Sequence, residues 1–555
     1  MPDGTTPFVP NAPLKGAKVD ENALRERLEH VIVLMLENRS FDHQLGFLDH
    51  PYPDAFGQRG LGEQFNMTTG DPAEKVLATP HGEPNLVDPN HGPAGVLEQI
   101  GAFRGVKAMG GFVKNYDTEK PGQGRKIMQC LNPEVQCPVL AGLAKDFAVC
   151  TRWFSSVPGE TWPNRNFAHA ATSDAASQIE VGFYNDPTIF ERLEAGHQTW
   201  HIYYDGPPQV WFFGKLWKPR LRDLLPNRKG RLANWYAMPR FFEHVLDGNL
   251  PAYSFIEPAH NHIFEDKNAP RQTNSQHCHN NFGDPAAADF RAGERLIAEI
   301  YDALLGRPEL FARTLLVITY DEHGGLYDHV EPPKTVDPGD PSGVGFIRWV
   351  GRNVRAVVDK MRGADRPGVY DPTRLGARVP AVLVSPWIQP GRIVPDVFDH
   401  SSIPASLRAM FAPHQKPLTA RDAEANTFHQ VVADEQSVAG STPRQLADDH
   451  PGNLPPLRFS SAFLSPAGDG VAVDAVVAPA TTAPPTKFDV QLARMGDQVG
   501  QELERSQRFG VLRVNDARSK EDEEEVAGDA VVAGSAAPAS PLAVFVDSVR
   551  MARNS

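Results

Sequence analysis

The chain has 555 residues and a mass of 60.9 kDa, with 41% hydrophobic and 22% charged residues. That supplies one large core with chain left over. Acidic residues outnumber basic ones by 69 to 55, a formal charge of −14, which excludes a general nucleic-acid binder, whose surface must be basic to neutralise phosphates. An anionic substrate is not excluded, because one bound cation reverses the local sign. With 50 prolines against 46 glycines, long ordered loops are expected to carry the chemistry.

Residues 1–27 read as a polar lead-in without the apolar core of a secretion signal. No apolar run approaches the roughly 18 residues a membrane span needs. The expectation is a soluble chain with no export address of its own and no transmembrane segment; oligomeric state and compartment are left open. The first strong element is Val31 to Leu36, a continuous apolar run that suits a strand buried on both faces of a parallel sheet. It runs directly into Glu37-Asn38-Arg39-Ser40-Phe41-Asp42-His43. A carboxylate and an amide oxygen side by side offer hard ligands for a divalent cation. The alternative is a strand-to-helix turn, capped by Asn38 or Ser40, with Glu37 paired to an arginine.

Two further loops follow. His91 lies in the polar segment Val87-Asp88-Pro89-Asn90-His91, where it can protonate a leaving oxygen or grip a phosphoryl oxygen. Thr161 lies in the Pro/Gly-rich segment Val157 to Arg165, ahead of a helix expected over Asn166 to Ser173. A hydroxyl at a helix N-terminus beside a metal becomes acidic enough to attack phosphorus. One helical turn on, Arg165 would return its guanidinium to Thr161 and grip an oxyanion. Against this stands a threonine N-cap with a structural arginine.

Trp200 to Trp217, with Tyr203, Tyr204, Trp211, Phe212 and Phe213, reads either as a packed hairpin or lid or as the lining of an apolar pocket. His277, in Asn274-Ser275-Gln276-His277-Cys278, has the same reading as His91, whereas His260, His262 and His279 are read as loop or surface histidines. Ala292, Leu296, Ile297, Ile300 and Leu304 recur at helical spacing over Arg291 to Leu305, and Arg307-Pro308 ends the helix. Thr314 to Tyr320 is a second buried strand, delivering Asp321-Glu322-His323-Gly324-Gly325. Adjacent carboxylates repel unless a positive charge holds them, and the glycine pair permits a sharp turn close to a ligand. Val379 to Ser385 repeats the strand pattern. Helices alternating with such strands, with polar clusters past the strand ends, predict an α/β sheet whose ligand crevice lies outside those ends.

The four cysteines, Cys130, Cys137, Cys150 and Cys278, lack zinc-site spacing. They are read as buried thiols, with a single Cys130–Cys137 bridge as the alternative. The catalytic domain is expected over residues 28–430, and residues 431–555 as an Ala/Pro-rich linker and acidic extension. Within that extension, one amphipathic helix is expected over Phe488 to Val514, and Lys520 to Glu525 as a solvated charge run. Neither a phosphate-cradling P-loop nor a G-x-S-x-G nucleophile elbow is present.

Together these segments resemble the bacterial phosphoesterase family that includes phospholipase C enzymes and an acid phosphatase, within the alkaline-phosphatase-like superfamily. The likeness is carried by Glu37 to His43, Thr161-Trp162-Pro163-Asn164-Arg165 and Tyr320 to His329, with Arg378-Val379-Pro380, Ser385-Pro386 and Asp399 to Ser402, over roughly residues 28–415. It implies a central, mostly parallel sheet sandwiched by helices, and one divalent metal held by Glu37, Asn38, Asp321 and Glu322. Thr161 would be the nucleophile, and His91 and His277 would match the family's active-site histidines. Family members usually carry proline after the second histidine, where Cys278 stands here, and are often exported by a twin-arginine signal that this sequence lacks.

The expected activity is metal-dependent hydrolysis of a phosphate ester, phospholipid or smaller, by in-line attack of Thr161 and a phosphothreonine intermediate. Oxygen ligands alone suit magnesium, calcium or manganese. A sulfate ester hydrolase is a weaker alternative, because the sulfatase C-x-P-x-R loop needs cysteine or serine where Thr161 stands. A non-catalytic protein using the same site to bind an anion is the alternative from another class.

Overall fold

The computed structural model describes residues 24, 27–51, 60–179, 184–205, 208–217, 231–260, 274–278, 286–339 and 371–433. His262, His279, the amphipathic stretch from Phe488 and the charge run from Lys520 lie outside the described residues. In chain order the strands are β1 (His30–Leu36), β2 (Phe65–Met67), β3 (Lys75–Leu77), β4 (Ala148–Cys150), β5 (Trp200–Tyr204), β6 (Trp235–Ala237), β7 (Tyr253–Glu257), β8 (Thr314–Tyr320), β9 (Ala381–Val384) and β10 (Arg392–Val394). Eight form one sheet in the order β10-β4-β9-β8-β1-β7-β5-β6, and β2 with β3 make a small antiparallel pair.

The apolar runs of β1 and β8 fold as their composition requires. Val31 to Leu36 and Leu315 to Ile318 are fully buried, because β1 sits mid-sheet between β7 and β8 with both faces covered. β1 pairs with both in parallel, and Leu36 lies opposite Tyr320 while Leu34 lies opposite Ile256. The ladder continues one residue further, the Asp321 amide donating to the Leu36 carbonyl at 3.2 Å. Register alone therefore sets Glu37 beside Asp321 and brings Glu257, the last residue of β7, to the same end.

Within the eight-stranded sheet, β9 runs against both its neighbours, β8 and β4. Its exit at Ser385-Pro386 thus lies at the opposite end of the sheet, and it is the entrance, at Arg378, that lies on the side of Asp321. The strand is also shorter than the Val379 to Ser385 run expected. The helix expected from Arg291 starts earlier, spanning Ala286–Leu305.

The aromatic run from Trp200 is packed, but as a strand and not as a hairpin. Its first five residues are β5, an interior strand parallel to both β7 and β6. Trp200, Tyr203, Phe212, Phe213 and Trp217 are buried in the main core. All four cysteines are buried thiols with no bridge between Cys130 and Cys137. Among the described residues, no helix is long and apolar enough to cross a membrane.

Candidate active site

Thr161 opens the helix Thr161–Ala170, with Glu160 in extended conformation at its N-cap. The helix begins five residues earlier than expected because Pro163 falls in its first turn, where a missing N–H costs nothing. Trp162 behind it stacks on Phe212, ring centres 4.3 Å apart, so the aromatic run packs against the helix that presents Thr161. The Thr161 side chain is 7% exposed, and its hydroxyl donates to Asn38 Oδ1 at 3.3 Å.

Asn38 adopts a left-handed backbone, φ 55°, strained for a residue with a side chain. The bend turns its amide N–H onto Asp321 Oδ1 at 3.0 Å. It is locked by Gly324, itself at φ 65°, where a Cβ would stand 2.3 Å from the Asn38 carbonyl oxygen. The glycine pair expected to let the chain turn close to a ligand therefore turns it against a proposed one.

The Glu322 amide donates to Asp321 Oδ1 at 2.7 Å, and the Gly324 amide to Glu322 Oε2 at 2.7 Å. Glu322 Oε1 and Glu37 Oε2 are left buried without a hydrogen-bond partner. Burial, with Glu37 and Glu322 close by, lifts Asp321 to about 6 against the pull of Arg165. Two orphaned carboxylate oxygens, an amide oxygen and surplus buried negative charge fit one divalent cation with hard ligands.

His277 points at the same asparagine. Its Nδ1 lies 2.5 Å from the Cys278 carbonyl and its Nε2 2.8 Å from Asn38 Nδ2. A carbonyl can only accept, so Nδ1 donates to it and Nε2 receives the amide N–H, which leaves Asn38 Oδ1 facing Thr161. The loop is held by Gln276, at φ 69°, whose carbonyl accepts from Arg39 Nε at 2.6 Å and whose side chain bonds Tyr320, Gln44 and the Phe290 carbonyl. The His91 and His277 rings meet edge to face at 5.7 Å. His91 Nδ1 lies 2.9 Å from the Pro89 carbonyl, with Asp88 beside it. Burial opposes its charge, but Asp88 and then Glu322 raise its pKa to about 9.

Arg165 does not reach back to Thr161 as its spacing suggested. Its side chain is 0% exposed, and it is enclosed behind the site: Nε meets Asp321 Oδ2 at 3.0 Å, Nη2 meets the Met35 and Leu36 carbonyls, and Nη1 lies 3.5 Å from Glu257. One helical turn does bring it back along the helix, but inward, under the strand ends. With its guanidinium held there, it is not available to grip a substrate oxyanion.

Two residues given no role from sequence join the site. Glu257 accepts the Gln209 amide at 2.7 Å, and His260 bridges it to Glu37, 2.9 Å from each carboxylate. Despite burial, Glu37 and Glu257 raise His260 to about 9, while in return His260 holds Glu37 well below the usual carboxylate range, against the effect of burial. The signal that would have found Glu257 was an acid ending a buried strand, as at Glu37 and Asp321. Two other triads have ligand atoms within 4.8 Å of one another: Asp88, His91 and His277 at the site itself, and Asp42, Asp328 and His329 away from it, where Arg378 already binds both acids.

A cluster of buried carboxylates at the exits of parallel strands, beside a hydroxyl at a helix N-terminus, is in keeping with a phosphoric ester hydrolase. Residues 28–412 match the Phosphoesterase family, and the chain belongs to it. It is 33% identical to non-specific phospholipase C1 of Arabidopsis thaliana, over 78% of this chain and 74% of that protein. Phospholipase C B of Mycobacterium tuberculosis is 28% identical, over 76% and 80% of the respective chains. A solved alkaline phosphatase superfamily protein from Vibrio parahaemolyticus aligns over 53% of this chain and 65% of that one, at 11% identity and a TM-score of 0.29. That likeness is too slight to add to the assignment.

Proposed function

We propose that the protein hydrolyses phospholipids as a phospholipase C, by two displacements at phosphorus through Thr161. The observation that carries this reading is the hydrogen bond from the Thr161 hydroxyl to Asn38 Oδ1, at the mouth of the carboxylate cluster. Phospholipid rather than a small ester is favoured by relatives named phospholipases C. Glu37, Asn38, Asp321 and Glu322 would hold one ion of magnesium, calcium or manganese. When bound, that ion supplies charge that acidifies the Thr161 hydroxyl and offsets the phosphoryl oxygens.

The residues around it do the rest. The helix N-terminus favours negative charge on Thr161 Oγ1, which gives its proton to solvent and attacks phosphorus as the alkoxide, in line with the glycerol oxygen. His91, whose charged form Asp88 favours, donates to that departing oxygen, leaving diacylglycerol and a phosphorylated headgroup esterified to Thr161. The neutral imidazole then takes a proton from water, which attacks phosphorus and frees the threonine. His277 keeps the Asn38 amide turned the right way throughout.

The test is turnover of phosphatidylcholine and para-nitrophenyl phosphate with supplied divalent metal. Thr161→Ala is expected to lower kcat by roughly 10³-fold or more, with Thr161→Ser keeping part of the activity. Wild-type turnover by Thr161→Ala would remove the nucleophile from the account.

A further inference from the structure

Where β1 parts from β8, one buried backbone carbonyl changes partner. The Asp321 amide still donates to the Leu36 carbonyl, and in a parallel ladder the next bond would run from the Asn38 amide to the Asp321 carbonyl. The left-handed turn at Asn38 sends that amide to Asp321 Oδ1 instead, at 3.0 Å. A buried carbonyl without a donor is costly, and His400 Nε2 meets this one at 2.6 Å. His400 belongs to Asp399 to Ser402, a segment that carries part of the family likeness but no step of the chemistry above.

We propose that His400 is a positioning residue that holds the peptide joining Asp321 to Glu322, and with it the aim of both carboxylates at the metal. The inference rests on the reading of those two acids as ligands. The direction of the contact follows from its partners alone. Across the ring, Trp153 Nε1 lies 3.2 Å from Nδ1. An indole N–H only donates and a carbonyl only accepts, so Nδ1 receives one hydrogen bond and Nε2 gives the other. No charge on the ring is needed. The ring is fully buried and its backbone is held: the His400 amide donates to Ser156 Oγ at 3.0 Å, and Asp399 is tied to Arg421 Nη1 at 2.7 Å.

A trans peptide is planar, with its C=O and N–H pointing opposite ways. Holding the Asp321 carbonyl on His400 therefore also holds the Glu322 amide, which donates to Asp321 Oδ1 at 2.7 Å. The same plane sets where the Glu322 side chain leaves the backbone. The Gly324 amide then takes its Oε2 at 2.7 Å, and Oε1 stays buried without a partner. One ring N–H thus governs how both acids are presented. Hydrogen-bonded groups behind a ligand commonly set metal affinity by about 10–100-fold in other proteins.

Two substitutions separate the donor from the bulk of the ring. His400→Leu fills much of the space but has no hydrogen to give. Stripped of metal and titrated with Mn²⁺ by calorimetry, it is expected to bind about 10–100-fold more weakly than wild type. His400→Gln puts an amide nitrogen near the place of Nε2 and is expected to recover binding to within about threefold of wild type. A ring that merely packs would give the opposite order, because leucine suits a buried site better than glutamine. Wild-type affinity in His400→Leu, or equal losses in both variants, would overturn the proposal. Should His400→Leu not fold, His400→Asn keeps an amide but is too short to reach the carbonyl. It is expected to bind Mn²⁺ at least about tenfold more weakly than His400→Gln, and equal affinities would again overturn the idea. Glu322→Gln separates the two levels. If it binds Mn²⁺ like wild type, or if wild type binds none, the ligand assignment itself has failed and this proposal with it. If Glu322→Gln loses binding while His400→Leu keeps it, the positioning role alone is removed.

Discussion

The loops that leave β1 and β8 meet twice, and the two meetings differ in kind. Near the strands, Glu37 and Asn38 face Asp321 and Glu322, and two carboxylate oxygens are buried without partners. A few residues on, Asp42 faces Asp328 and His329, and every carboxylate is answered. Arg378 Nη2 reaches Asp42 at 2.8 Å and its Nε reaches Asp328 at 3.0 Å, while His329 Nδ1 meets Asp42 at 2.5 Å. The Asp42 amide donates to Asp328 at 3.2 Å. Both clusters are buried and acidic, but only in the outer one are the acids fully paired; at the inner one Arg165 and His260 still leave Glu37 Oε2 and Glu322 Oε1 without a partner. The outer cluster is a clamp that fixes the two loops; the inner one keeps two unpaired carboxylate oxygens, where we propose that a cation binds. Acidic residues in a motif are thus not equivalent, and unsatisfied oxygens tell a binding site from a fastening.

That contrast can be broken from either side. Glu322→Gln, at the inner cluster, is expected to weaken Mn²⁺ binding at least about 100-fold and to abolish turnover of phosphatidylcholine, while leaving the unliganded melting temperature within a few degrees of wild type. Calorimetry and thermal melts check both halves. Arg378→Met, at the outer cluster, should do the reverse. It strands two buried carboxylates and is expected to cost about 3–5 kcal/mol of stability in urea, with Mn²⁺ affinity per folded molecule nearly unchanged. A large loss of affinity in Arg378→Met with little loss of stability would merge the two clusters into one functional unit.

The smallest expected effect is in pH. Burial alone would lower the His329 pKa, but Asp42 raises it above its ordinary 6.5. Its contribution to stability is therefore complete below pH 6.5 and is lost as pH rises through the raised value. Urea melts across that range should show stability falling with pH, and Asp42→Asn should flatten the slope. An unchanged slope in Asp42→Asn would remove His329 from the clamp.

The sheet's centre and half of the site were legible beforehand, for a common reason. β1 and β8 are continuous apolar runs, a pattern needed only where both faces are buried, and the acids at their exits fall where ligands collect. β7 escaped because Tyr253-Ser254-Phe255-Ile256 is short and interrupted by a serine that the fold nevertheless buries; Glu257 and His260 were missed with it. The inward path of Arg165 was not legible either, because helical spacing fixes which face a residue shares and not what waits beneath. The run from Trp200 was legible as packed chain but not as a strand, since a parallel strand next to the sheet's edge and a hairpin can be equally aromatic. The direction of β9 is a matter of topology, which no local pattern encodes.

The most direct test of the central claim is the stereochemical course at phosphorus, measured with a phosphatidylcholine analogue made chiral there by sulfur and oxygen isotopes. Two successive in-line displacements through Thr161 predict net retention of configuration. Net inversion would mean that water attacks phosphorus directly, and would contradict the account.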